Sequence, residues 1–134
     1  MNKVNVNYLK IIGKLISKLS VILFSLLLLD SLYIGSQLKY FNKLYLSIQK
    51  SPLKINRLGV ILCYMFLVGL LYYFILSQKK SILDAFILGV AVYGVYETTN
   101  YSTITKWPLY LLFVDTLWGG ILFALTTWAY YKIY

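Results

Sequence analysis

Four long apolar runs separated by short lysine-rich segments dominate the sequence, at residues 19–38, 58–78, 82–101 and 108–131. Each holds about 20 residues or slightly more, enough at about 1.5 Å per residue to cross a hydrocarbon core of about 30 Å. The pattern predicts an all-α membrane protein, a four-transmembrane-helix bundle with short interfacial amphipathic helices, filling one integral domain over residues 1–134. The third run is the least apolar, because Asp84 and Glu97 lie near its ends.

Between and before these runs the periodicity changes. Lys10, Lys14 and Lys18 recur every four residues while Ile11, Ile12, Leu15 and Ile16 fill the other faces, which predicts an amphipathic helix lying at the headgroups or extending the first span. Lys3 joins these lysines as a charged flank, and with no small-residue cleavage site after the first run the segment reads as an uncleaved anchor. Phe41, Leu44, Tyr45 and Ile48 recur at helical spacing before Ser51-Pro52, predicting a second interfacial helix. Residues 77–81 form a tight polar turn and residues 102–107 a polar loop, closed by Trp107 at the interface and Pro108 in the first turn of the last helix.

Composition narrows the chemistry. Hydrophobic residues make up 60% of the chain, above the roughly 45–50% apolar share of soluble domains. The formal net charge of +9 falls almost entirely between the apolar runs, where the expected partners are anionic lipid headgroups rather than nucleic acid. Histidine is absent and Cys63 is the single cysteine, so zinc sites, intramolecular disulfides and Cys/His nucleophile pairs are excluded within one chain. No catalytic residue, metal ligand or cofactor is predicted, and Cys63 reads as packing. The lysine-rich, arginine-poor composition suits some bacteria or a large DNA virus, so a bacterial inner membrane or a host or viral membrane is expected.

With four spans, Lys3, Lys10, Lys14, Lys18, Lys79, Lys80 and Lys132 fall on one side of the membrane. Lys39, Lys43, Lys50, Lys54, Arg57 and Lys106 fall on the other. So even a division leaves orientation open and permits antiparallel pairing in a homodimer.

Four acids remain to be explained. Asp84 belongs to the first turn of the third span, where it complements the helix dipole. Asp30, Glu97 and Asp115 lie deeper, about 12, 6 and 10 Å from the ends of their runs, all toward the same membrane face. Helical spacing sets Tyr33 and Gln37 beside Asp30, and Tyr93, Tyr96 and Asn100 beside Glu97. Trp118 and Gly119 lie beside Asp115, with the Gly119-Gly120 pair permitting close helix approach. These faces predict a polar intramembrane cluster of Asp30, Glu97, Asn100, Asp115 and Trp118, in a pocket lined by Tyr33, Gln37, Tyr93, Tyr96 and Gly119. The competing expectation is that the same groups only join helices through interhelical hydrogen bonds, worth near 1 kcal/mol each.

The segment Tyr93-Gly94-Val95-Tyr96-Glu97-Thr98-Thr99-Asn100, followed by Trp107-Pro108 and Asp115-Thr116-Leu117-Trp118-Gly119, resembles the signature of domain-of-unknown-function family 2177, small membrane proteins. The family pattern runs Tyr-Asp-Leu-Thr-Asn, Trp-Pro and Asp-apolar-apolar-Trp-Gly, with an aspartate in the first span that Asp30 matches here. Glu97 stands where the family usually has aspartate, and Thr99 is polar but uncharged. The resemblance covers essentially the whole chain and implies four spans without implying a reaction.

Three functions compete on these grounds. A small proton-coupled transporter would use the carboxyls for proton exchange and the aromatic pocket for an amphipathic or cationic solute. A structural or assembly protein of a cellular or viral membrane would use them only for folding. A lipid-modifying enzyme would need two of the carboxyls as acid and base, with no evident nucleophile to help.

Overall fold

In the computed structural model the chain is helical almost throughout, and the structure describes residues 3–134, with side chains from Asn5 onward. The Lys3 side chain lies outside the described residues. The helices are α1 (Lys3–Ser36), α2 (Leu38–Gln49), α3 (Arg57–Leu71), α4 (Ile82–Thr103) and α5 (Leu109–Ile133), with a π-helical segment, Tyr72–Leu76, continuing α3. Asn5–Ser36, Arg57–Leu76, Ile82–Thr103 and Leu109–Ile133 are each long and apolar enough to cross a membrane. The protein is therefore an integral, multi-pass helical membrane protein, and an even number of crossings returns the chain to its starting face.

The approach to the first span takes the second of the two forms expected for it. α1 runs unbroken from Lys3, so the segment bearing Lys10, Lys14 and Lys18 extends the span instead of lying along the surface. Asn5, Asn7 and Gly13 are weak helix formers there, but a helix once nucleated favours propagation. The helix also stops at Ser36, because Gln37 leaves helical geometry at φ −110°, ψ 8° and turns the chain into α2. α2 matches the second interfacial helix: Phe41, Leu44, Tyr45 and Ile48 are its half-buried face.

The other boundaries move less. In the second span, Ser77 N–H donates to the Tyr72 carbonyl at 2.8 Å, the five-residue step of a π turn. The helix end closes around left-handed Lys79, with Lys80 N–H on the Ile75 carbonyl at 3.0 Å and Lys79 N–H on that of Leu76 at 3.3 Å. α4 begins with a capping box: Ser81 Oγ accepts from the Asp84 N–H at 3.0 Å while Asp84 accepts from the Ser81 N–H at 3.0 Å. Pro108 occupies the cap before α5 (φ −80°, ψ 137°), one place ahead of the first turn predicted for it.

α5 is the central helix. It packs along α4 and against α1, and α1 in turn packs against α3. Ile22 and Leu26 of α1, Leu71 of α3, Ala85 of α4, and Leu122 and Phe123 of α5 are fully buried where these helices meet. The α4–α5 contact is closest at Gly89, where an added Cβ would meet the backbone of Gly119 and Gly120. Tyr93 closes over Gly119, while Phe86 and Val90 close over Gly120. Most large side chains on the outer faces, such as Leu32, Phe66, Ile87 and Phe113, are exposed, as a lipid-facing surface requires.

Candidate functional site

Asp30, Glu97 and Asp115 come from α1, α4 and α5 and are 7%, 1% and 9% exposed, so three separate helices each bury one acid. The local reason is periodicity. Asp30 continues the inward stripe of Ile22 and Leu26, Glu97 that of Ala85 and Gly89, and Asp115 lies between buried Leu111 and Gly119. Each acid thus replaces an apolar residue on a core-facing stripe.

Neutral donors surround them. Asp30 accepts from Trp118 Nε1 at 2.9 Å on one oxygen and from the Tyr64 hydroxyl at 2.7 Å on the other. Glu97 accepts from Trp107 Nε1 at 2.8 Å. Asp115 accepts from the Tyr33 hydroxyl, whose ring stacks on Trp118 with centroids 4.4 Å apart and planes 7° apart. The stack couples the two halves of the cluster, because one of its rings serves Asp30 and the other Asp115. The Glu97 and Asp115 carboxyls are neighbours, and Gln37 lies near the Tyr33 hydroxyl. A line of polar side chains therefore runs Gln37, Tyr33, Asp115, Glu97, Trp107, with hydrogen bonds joining Tyr33 to Asp115 and Trp107 to Glu97.

Its outer end meets a groove of about 590 Å³ lined by Ser36, Gln37, Lys39, Tyr40 and Tyr110. α2 crosses this end of the bundle and is fastened to the α4–α5 loop. Lys106 Nζ donates to the Ser47 carbonyl at 2.9 Å, and the Tyr45 ring meets Trp107 edge-on at 6.4 Å. Burial, then the neighbouring Tyr96, pushes the Tyr45 phenol up to about 12, so it stays a neutral hydroxyl in the physiological range. The charge of Lys50 holds the Lys106 ammonium below its ordinary lysine value.

The structure brings Asp30, Tyr33, Gln37, Glu97, Asp115 and Trp118 into this one network. Asn100 sits half-buried on the same helix as Glu97, and its Nδ2, like Thr116 Oγ1, is buried without a hydrogen bond. Tyr93 and Gly119 press on one another as part of the α4–α5 contact rather than lining a pocket. Tyr96 is 55% exposed and turns out of the cluster, because one residue step rotates it about 100° from Glu97. Cys63, expected in packing, is exposed on the outer face of α3.

Two residues of the network have no counterpart among the predicted ones. Tyr64 is one of three tyrosines in its apolar run, with Tyr72 and Tyr73, but it is the one that lies seven residues into the span from Arg57, about 10 Å deep and level with Asp30. The depth argument applied to the acids would have found it. Trp107 is 5% exposed, not an interfacial anchor, because the loop folds its indole back over Glu97.

The sequence signature of a family described as predicted membrane protein (DUF2177) matches residues 15–132, which contain every residue of the network. No curated protein and no solved structure matches the chain.

Proposed function

Since the chain belongs to the predicted-membrane-protein family DUF2177, we propose that its buried carboxyls are the proton-handling site of a small proton-coupled transporter. The observation that carries the reading is the line from the groove through Gln37 and Tyr33 to the Asp115–Glu97 pair. Two neighbouring buried carboxyls whose hydrogen-bond donors are all neutral favour holding a proton between them. Tyr33, donor to Asp115 and neighbour of Gln37, is the group through which that proton exchanges with the groove.

The Tyr40 and Tyr110 rings beside Gln37 suit an amphipathic solute whose cationic part rests on an aromatic face, while Lys39 in the same lining disfavours a compact bare cation. Entry of the solute would displace the proton. The test uses the full chain in liposomes with an imposed pH gradient and ethidium, an aromatic cation, as probe. Gradient-driven uptake is expected for the unmodified protein and is expected to vanish in Asp115→Asn. Uptake that is unchanged in Asp115→Asn, or that ignores the gradient, removes the reading.

A second reading has one observation in its favour. Both oxygens of Asp30 are paired, one to α5 and one to α3, which is what a residue joining three helices needs. Asp30 on this view is a structural joint even while Asp115 and Glu97 exchange a proton. Asp30→Asn would then lower stability without abolishing uptake.

A further inference from the structure

The end of the bundle remote from the carboxyls carries a second groove, of about 520 Å³, within the size range of small-ligand pockets. Lys18 of α1, Tyr72 of the π segment, Lys79 of the following turn, and Tyr130, Tyr131 and Tyr134 of the C-terminal turns line it. Its walls are tied together. The Tyr131 hydroxyl donates to the Lys80 carbonyl at 2.7 Å, holding the turn against α5, and Ser17 and Tyr134 share a hydrogen bond between α1 and the C-terminus.

Both cations are placed by local structure. Lys79 holds the left-handed position, φ 51°, at which the second span's helix closes, with Lys80 N–H on the Ile75 carbonyl and Lys79 N–H on that of Leu76. The π segment, a form that recurs at functional sites, puts Tyr72 and Leu76 on the groove together. The Lys18 side chain is half-buried, with its ammonium 5.7 Å above the Tyr134 ring, and shares the groove wall with Tyr130. The nearest acid, Asp84, is already engaged by Ser81 in the capping box.

We propose that this groove binds a phosphate group, carried either by an anionic lipid headgroup or by a soluble phosphomonoester. Two lysines supply charge and the Tyr72 and Tyr130 hydroxyls supply directed donors, the combination that phosphate oxygens accept. The groove opens at headgroup level, and exposed Phe74, Trp128 and Ile133 lie on neighbouring outer surface that acyl chains would cover. Nothing in this site depends on the carboxyl network, so either can fail alone.

The experiment places the full chain in phosphatidylcholine nanodiscs. Retention of added phosphatidic acid is measured by native mass spectrometry, and binding of glycerol 3-phosphate by phosphorus NMR. Each lysine near the membrane surface is worth about fivefold in affinity, so Lys18→Gln with Lys79→Asn is expected to weaken binding about 25-fold. Lys43→Gln with Lys54→Gln, on the opposite face, should leave it within about twofold. Asparagine tolerates the left-handed conformation, so Lys79→Asn alone tests the site, at about fivefold, even where the Lys18 variant fails to fold. Binding of phosphatidic acid alone identifies the lipid as the source, and equal binding of glycerol 3-phosphate identifies the soluble ester. Equal losses in both double variants, or none in either, would mean general attraction to charge and overturn the site.

Discussion

Gly89→Ala is the substitution that the α4–α5 contact forbids most directly. The new Cβ would stand 2.7 Å from the carbonyl carbon of Gly119 and 3.0 Å from Gly120 Cα, closer than the ordinary contact range of 3.4–4 Å. The Gly119 carbonyl oxygen lies closer still, and all three atoms are backbone, so no rotamer change relieves the clash and the helices must part by about 1 Å or more at that point. A gap of that size forfeits about a quarter to a half of each van der Waals contact nearby, and in lipid those contacts are what hold helices together. Tyr93 on Gly119 and Phe86 and Val90 on Gly120 would all loosen. The expected cost is about 3 kcal/mol, the upper end for overpacking. Gly69→Ala is the control: an added Cβ there meets nothing within 4 Å, and the helix gains up to about 1 kcal/mol in propensity. Reversible unfolding in mixed detergent micelles measures both. Equal stability of the two variants would refute the close contact.

Trp107→Phe keeps an aromatic ring against Tyr45 but removes the donor to Glu97, and is expected to cost about 1.5–3 kcal/mol because the acid is 1% exposed. Adding Glu97→Gln should recover part of that loss in a double-mutant cycle. In the Lys50–Lys106 pair, folding lowers the Lys106 value below the ordinary 10.5, so the unfolded state binds more protons and docking of α2 should strengthen as pH rises from neutral toward 10.5. Hydrogen exchange of the α2 amides should register that gain, and Lys50→Gln or high salt should flatten it. Cysteines introduced as Asp30→Cys and Asp115→Cys, with Cys63→Ser, should cross-link through a short reagent, since Trp118 and the stacked Tyr33 bridge the two acids.

The spans were legible because apolar length and lysine-rich connections are properties of composition, which tertiary contacts scarcely modify. The burial of Asp30, Glu97 and Asp115 was legible for a related reason: an acid on an inward stripe, at matched depth on three helices, has few other places to go. What pattern could not supply was rotation within one residue step, which sent Tyr96 outward beside buried Glu97. Nor did it supply the fold-back of Trp107, whose loop geometry overrides its residue type's usual preference for the interface. Lys10, Lys14 and Lys18 look the same on a surface helix and on the extension of a span, since both present one charged stripe. The π segment Tyr72–Leu76 has no proline or glycine to announce it.

The central claim is that Asp115 and Glu97 hold a proton in common and exchange it with the outer groove through Tyr33. Infrared difference spectroscopy of the reconstituted chain, stepped between two external pH values, measures this directly. The account predicts a protonated-carboxyl band that responds to the step, disappears in both Asp115→Asn and Glu97→Gln, persists in Asp30→Asn, and responds far more slowly in Tyr33→Phe. A spectrum with no such band, or with one that survives both Asp115→Asn and Glu97→Gln, would contradict it.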